Sequence, residues 1–173
     1  MLRIPPFRRG RASHASSADS LRPRMTFYRH SARQTFASPL QIPCRIAILC
    51  GLFEESPGVR CFEPEELAEV ESYDPQIIGG SVQTLLRFAP VVRAARAIVP
   101  FSGARLGDVT TRDRDLLWTA FQVPVFEQRL GMDGTVIARE CEAHDGLHLA
   151  VTGWFHGPLR KEFCECGRTE PRI

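Results

Sequence analysis

The sequence is nearly devoid of lysine: Lys161 stands alone against 21 arginines in 173 residues. It also lacks any apolar run of membrane-spanning length; the stretch "IAILCGLF" is far too short to cross a bilayer. The arginines near the start are followed by no hydrophobic h-region, so no secretory signal is legible. There is no internal repeat. These absences argue against a membrane protein and against an oxidising compartment. The expectation is a soluble, cytoplasmic chain whose thiols are reduced.

Charge is unevenly spread. Residues 1–40 carry eight arginines and one aspartate, whereas residues 41–173 carry fourteen basic and nineteen acidic side chains. An acidic body repels phosphate backbones, so nucleic acid is not an expected partner. The first forty residues are rich in Arg and Ser, broken by Pro and without periodicity, and are expected to form a disordered leader. Such a composition fits a transit peptide or an upstream start with Met25 as the true beginning. A hydrophobic fraction of 43% is enough for one core, placed in residues 41–173.

Within that body "CRIAILCGLF" reads as one strand or a buried turn of helix, its Cys44 and Cys50 either a metal-binding pair or, more commonly for such residues, small buried hydrophobes. "EPEELAEVESY" opens a helix with Pro64 and acids in its first turn. "PQIIGG" is a short strand ended by glycines, and Ser81 caps a helix over "SVQTLLRFA". "RAIVPFSG" and "VPVFEQ" are strands flanking a helix, "TTRDRDLLWTAF", whose Leu116, Leu117 and Phe121 share one side. Alternating elements of this kind predict a parallel sheet of βαβ units, with three or so strands. After residue 134 the pattern changes. "TVIARE" and "GLHLAVTGWF" predict an antiparallel hairpin about "CEAHD". The expected class is therefore α/β: a small parallel βαβ sheet with flanking helices and a C-terminal antiparallel segment.

The end of the chain concentrates thiols and imidazoles. Cys141, His148, Cys164 and Cys166 make the pattern Cys-x6-His-x15-Cys-x-Cys. Three thiolates and an imidazole form a tetrahedral zinc set, and four protein ligands close the site to water. Zinc would clip together two loops too glycine-rich to pack alone. His144 and His156 are rival nitrogen ligands, and the same spacing also suits exposed thiols beside a surface histidine. Two further chemistries suit these residues. One is a hydrolytic metal site using Glu140 or Glu142 as base; the other is Cys141 as nucleophile beside His144 or His148. Asp113 and Asp115 with Arg112 and Arg114 read as a solvated helix face, and Trp118 and Trp154 as core or interface aromatics.

The segments "IAREC…DGLHL" and "CECGRTEPR" resemble the phenylacetate–coenzyme A ligase branch of the adenylate-forming enzymes. The resemblance extends upstream through "YDPQIIGGSVQTLLRFA" and "FSGARLGDVTTRDRDLLWTAFQVPVFEQ", covering roughly residues 62–173. Some members of that branch hold a structural zinc, and the carry-over lands on Cys141, His148, Cys164 and Cys166. Departures are equally plain. No Ser/Thr/Gly-rich loop ending in Pro-Lys is present; "SHASSADS" has neither the glycines nor the lysine. "VFEQRLG" replaces the family's Tyr-Gly-x-Ser/Thr-Glu motif, leaving Phe126 to stack and Glu127 to reach a cation. Ala104, after Gly103, stands where the family has a glutamate. The interval from His148 to Cys164 is shorter than in the ligases. The ribose-binding aspartate and the C-terminal domain's lysine belong to a region past Ile173. Charge stabilisation at the phosphates is the main catalytic contribution in acyl adenylation. The resemblance therefore implies a non-catalytic, zinc-stabilised binding or interaction module, with ATP and magnesium not expected to bind. The alternative is a component of a split or minimal acyl-adenylate or CoA ligase. A partly uncovered sheet would favour a partner, either a second copy or a ligase-fragment chain.

Overall fold

The run "CRIAILC" builds a strand. Its buried side chains go alternately to two faces of a sheet, Ala47 to one and Ile46 and Ile48 to the other. The computed structural model describes residues 34–40, 42–94, 96–151 and 157–173. In chain order these hold β1 (Gln34–Thr35), β2 (Ile46–Ile48), β3 (Phe53–Glu54), β4 (Val59–Cys61), α1 (Leu67–Tyr73), β5 (Ile77–Ser81) and α2 (Val82–Phe88). They continue with β6 (Ala97–Gly103), α3 (Thr111–Phe121), β7 (Gln128–Leu130), β8 (Val136–Glu140) and β9 (Leu147–Leu149).

Among the described residues, seven strands form one sheet in the order β4-β2-β5-β6-β7-β8-β9. The five from β4 to β7 pair in parallel, while β8 and β9 add on antiparallel. The sheet is thus larger than the three or so parallel strands expected, and its terminal hairpin lies where the sequence placed it.

Helices α1, α2 and α3 cover one face. Val70, Leu85, Phe88, Leu117 and Phe121 cluster there with Ala47, Ile78 and Ile98. The other face carries no described helix. Ile46, Ile48, Ile77, Val99 and Phe101 pack beneath Phe36 and Phe53, with ring centroids 5.6 Å apart for Phe36–Phe53 and 5.2 Å for Phe53–Phe101. Burial on both faces explains why the central strands read as continuous apolar runs.

Phe36 is buried, and β1 pairs in parallel with β3. Residues 34–40, which composition assigned to the leader, therefore pack with the body; residues 1–33 lie outside the described residues.

Several local expectations need correction. Gly79 and Gly80 lie inside β5 and do not end it. A Cβ on Gly79 would come within 2.9 Å of both Ile48 Cδ1 and Phe101 Cζ, so the absent side chain is what lets the layers close. "VPVFEQ" is mostly lead-in: Val125 makes one parallel bridge to Ile98, and the strand proper begins at Gln128. Leu117 and Phe121, four apart, share the buried face of α3, but Leu116 is rotated about 100° from Leu117 and is exposed. Trp118, 51% exposed, is no core residue, and Trp154 lies outside the described residues.

Candidate metal centre

The four nominated residues converge. The ligand atoms of Cys141, His148, Cys164 and Cys166 all lie within 4.8 Å of one another. Cys141 Sγ is 3.6 Å from Cys164 Sγ, and Cys166 Sγ is 3.4 Å from His148 Nε2. A tetrahedral zinc with ordinary bond lengths would put sulfur pairs about 3.8 Å apart and a sulfur–nitrogen pair about 3.6 Å apart. Cys141, His148 and Cys164 are buried, while Cys166 is half-buried.

Local structure explains each position. Cys141 directly follows β8, and its carbonyl accepts from the His144 N–H in the turn to β9. His148 is the middle residue of β9, held in register opposite Arg139. Cys164 and Cys166 sit on a turn closed by the Gly167 N–H donating to the Cys164 carbonyl at 2.9 Å. The tail then runs back along β9: Leu147 and Ile173 exchange backbone hydrogen bonds of 3.1 and 3.0 Å, and the Leu149 N–H donates to the Pro171 carbonyl. This pairing, absent from the sequence reading, brings the tail's thiols beside the hairpin.

His148 Nδ1 donates to the Glu170 carbonyl at 3.2 Å, which leaves the Nε2 lone pair on the side of Cys166 Sγ, where it could coordinate a metal. The thiols are not alike. Burial pushes the Cys141 thiol up, whereas the backbone N–H of Cys166 pulls the Cys164 thiol below its ordinary value. The rival His144 is turned away: its Nδ1 is 2.9 Å from Glu140, and its ring stacks on Phe126 at 4.7 Å. His156 lies outside the described residues. Cys44, Cys50 and Cys61 pack against the Phe-lined face, where the Cys61 thiol donates to the Phe53 carbonyl and burial pushes Cys50 up to about 12.

Beside the cage lies a charged cluster that corrects the solvated-face reading of α3. Arg114 bridges Glu127 and Glu140, its Nη2 donating to one carboxylate oxygen of each at 2.9 Å. Nη1 adds a bond of 3.2 Å to Glu140, making that pair bidentate. Glu140 also accepts from the Glu127 backbone N–H, and the Ser102 hydroxyl donates to Glu127. Burial would lower the charge affinity of Arg114, but the two glutamates outweigh it and hold the guanidinium above its usual pKa. Asp113 is likewise not a free charge, since it forms a capping box with Thr110. Arg112 and Asp115 are exposed, as expected. Arg114, Glu127, Glu140, His144, Val109 and Leu147 line an open cleft of about 510 Å³. Glu140 is thus engaged by Arg114 and does not stand as a free base, and Glu142 is exposed. The signal for this cluster was present in the sequence only as an arginine in a helix face.

No family model and no curated protein matches the sequence. Among solved structures, the fold is similar to 2-hydroxyisobutyryl-CoA ligase in an open conformation, in complex with 2-HIB-AMP and CoA. The TM-score is 0.55 at 11% identity, covering 78% of this chain and 44% of that one. The same ligase and ligands in the thioesterification state give 0.52 at 12% identity, covering 77% and 42%. The chain spans less than half the length of the structures it matches. At this identity the likeness is one of fold: residues of this chain adopt an α/β arrangement similar to part of that CoA ligase.

Proposed function

We propose that this chain is a zinc-stabilised binding or interaction module, similar to part of a phenylacetate–CoA ligase-type adenylate-forming enzyme and without catalysis of its own. The observation that carries the reading is the convergence of three sulfurs and one imidazole nitrogen within 4.8 Å. Cys141, His148, Cys164 and Cys166 would hold the metal. A zinc bound there cross-links the β8–β9 hairpin to the chain's tail, and four protein donors leave no open position for substrate.

The engagement of Glu127 by Arg114 and Ser102 supports the non-catalytic reading. A carboxylate neutralised by a guanidinium is a poor magnesium ligand, and Phe126 is already stacked on His144. The sole lysine, Lys161, is exposed near the tail. Elemental analysis of purified protein beside Cys164→Ser tests the metal. Calorimetry with ATP and magnesium tests the absence of nucleotide binding.

The second reading is a component of a split ligase acting with a partner chain. It is favoured by the cleft at Arg114. Heat of nucleotide binding would favour it. Either reading admits a second copy or a ligase-type chain as partner, in the cytoplasm, without nucleic acid. Among the described residues no helix is long and apolar enough to cross a membrane.

A further inference from the structure

Arg172 is among the largest side chains that are almost wholly buried. A guanidinium cannot shed its charge, so burying it demands partners. Those partners come from both loops that carry thiols. Nη1 donates to the Asp145 carbonyl at 2.8 Å and ion-pairs with the Asp145 carboxylate; Nη2 donates to the Glu162 carbonyl at 3.3 Å. Asp145 lies in the turn that begins at Cys141, and Glu162 lies two residues before Cys164.

The backbone of Arg172 makes a third link. It forms antiparallel bridges to His148 on one side and Arg160 on the other, and it exchanges hydrogen bonds of 2.8 and 2.9 Å with Arg160. One residue thus touches every segment that supplies a donor to the cage.

We propose that Arg172 is the positioning residue of the cage, pinning the two thiol-bearing loops at ligand spacing. This rests on the metal reading above. Without the guanidinium, the Asp145 and Glu162 contacts are lost and the loops are free to separate.

The test uses cobalt(II) as the probe in the full chain, with affinity and absorption spectrum both recorded. Wild type is expected to give the intense sulfur-to-cobalt and d–d bands of a tetrahedral thiolate site. Arg172→Met is expected to weaken cobalt binding about ten- to hundred-fold, as loss of an outer partner does, and to reduce the charge-transfer intensity as a thiolate drops out. Arg172→Lys keeps the charge but cannot span both loops, and is expected to recover only part of the affinity. Asp145→Asn, a half-exposed position, removes the ionic anchor together with the exposed Asp145–Arg160 pair of 3.1 Å, so it reports even where Arg172→Met does not fold; a several-fold loss is expected, and Arg160→Gln, which removes only the exposed pair, is expected to leave the affinity unchanged. Unchanged affinity and spectrum in Arg172→Met, or in Asp145→Asn, overturns the proposal while leaving the metal reading intact. Full recovery by Arg172→Lys overturns the pinning. A wild-type chain that gives no tetrahedral cobalt spectrum overturns the metal reading itself, and this inference with it.

Discussion

His148 is oriented by Glu170: its Nδ1 donates to the Glu170 backbone carbonyl, and the opposite nitrogen faces Cys166 Sγ. The contact joins a strand residue to the chain's tail, so a metal bound at the proposed site would reinforce the docking of that tail. Removing the metal with a chelator is therefore expected to speed amide hydrogen exchange in residues 140–149 and 157–173, with β5 and β6 left protected. Uniform loss of protection across the sheet would show that the cage is not a local clip.

Arg114 is the counter-charge for two carboxylates that are nearly buried, with side-chain exposures of 10% for Glu127 and 5% for Glu140. Removing one member of such a cluster strands the other charges. Arg114→Met is expected to cost about 3 kcal/mol, the low end for a buried pair because the arginine is partly exposed. Urea denaturation measures the loss, and adding Glu140→Gln in the same chain should recover part of it. Additive losses would contradict the coupling.

The Thr110 hydroxyl accepts from the Asp113 N–H, and the Asp113 carboxylate accepts from the Thr110 N–H and hydroxyl. Thr110→Ala is expected to cost about 1 kcal/mol at neutral pH. The Thr110 hydroxyl, first, and its N–H, second, hold Asp113 below its ordinary pKa. A depressed carboxylate stabilises the fold above its unfolded pKa of about 3.9, and that contribution disappears as pH falls through the folded value. The gap between wild type and Thr110→Ala should therefore narrow below about pH 4 in acid titrations of unfolding. A gap that widens on acidification would contradict the capping box.

Gly103 ends β6 at φ 133°, and a Cβ there would lie 2.1 Å from the Leu130 carbonyl oxygen. Backbone is met, not a flexible side chain, so β6 and β7 cannot stay paired with any larger residue at this position. Gly103→Ala is expected to lose more than about 3 kcal/mol or fail to fold, by strain and backbone clash together. A melting temperature unchanged from wild type would refute the pairing of Gly103 with Leu130.

What the sequence made legible followed from repeated local signals. Ser81 was readable as a cap because an apolar helical pattern follows it, and its hydroxyl indeed accepts from Thr84 N–H. The Cys and His spacing was readable because thiols are chemically distinctive, and the four donors do lie together. What stayed hidden depends on partners remote in sequence. β1, β3 and β4 are two or three residues long and carry no periodicity. The glycines of β5 read as a terminator because the side chains they accommodate, Phe101 at Gly79 and Leu49 at Gly80, come from elsewhere in the chain. Arg114 looked solvated because its carboxylates come from Glu127 and Glu140, beyond the helix. Arg172 looked like an ordinary tail residue, since nothing in "TEPRI" announces a buried guanidinium.

The central claim is that Cys141, His148, Cys164 and Cys166 hold one zinc. Its most direct measurement is the metal content of the purified, reduced chain by elemental analysis, with Cys164→Ser treated identically. The account predicts one zinc per wild-type chain and a large loss in the variant. A wild-type chain that carries no zinc, and takes none up when zinc is supplied, would contradict it.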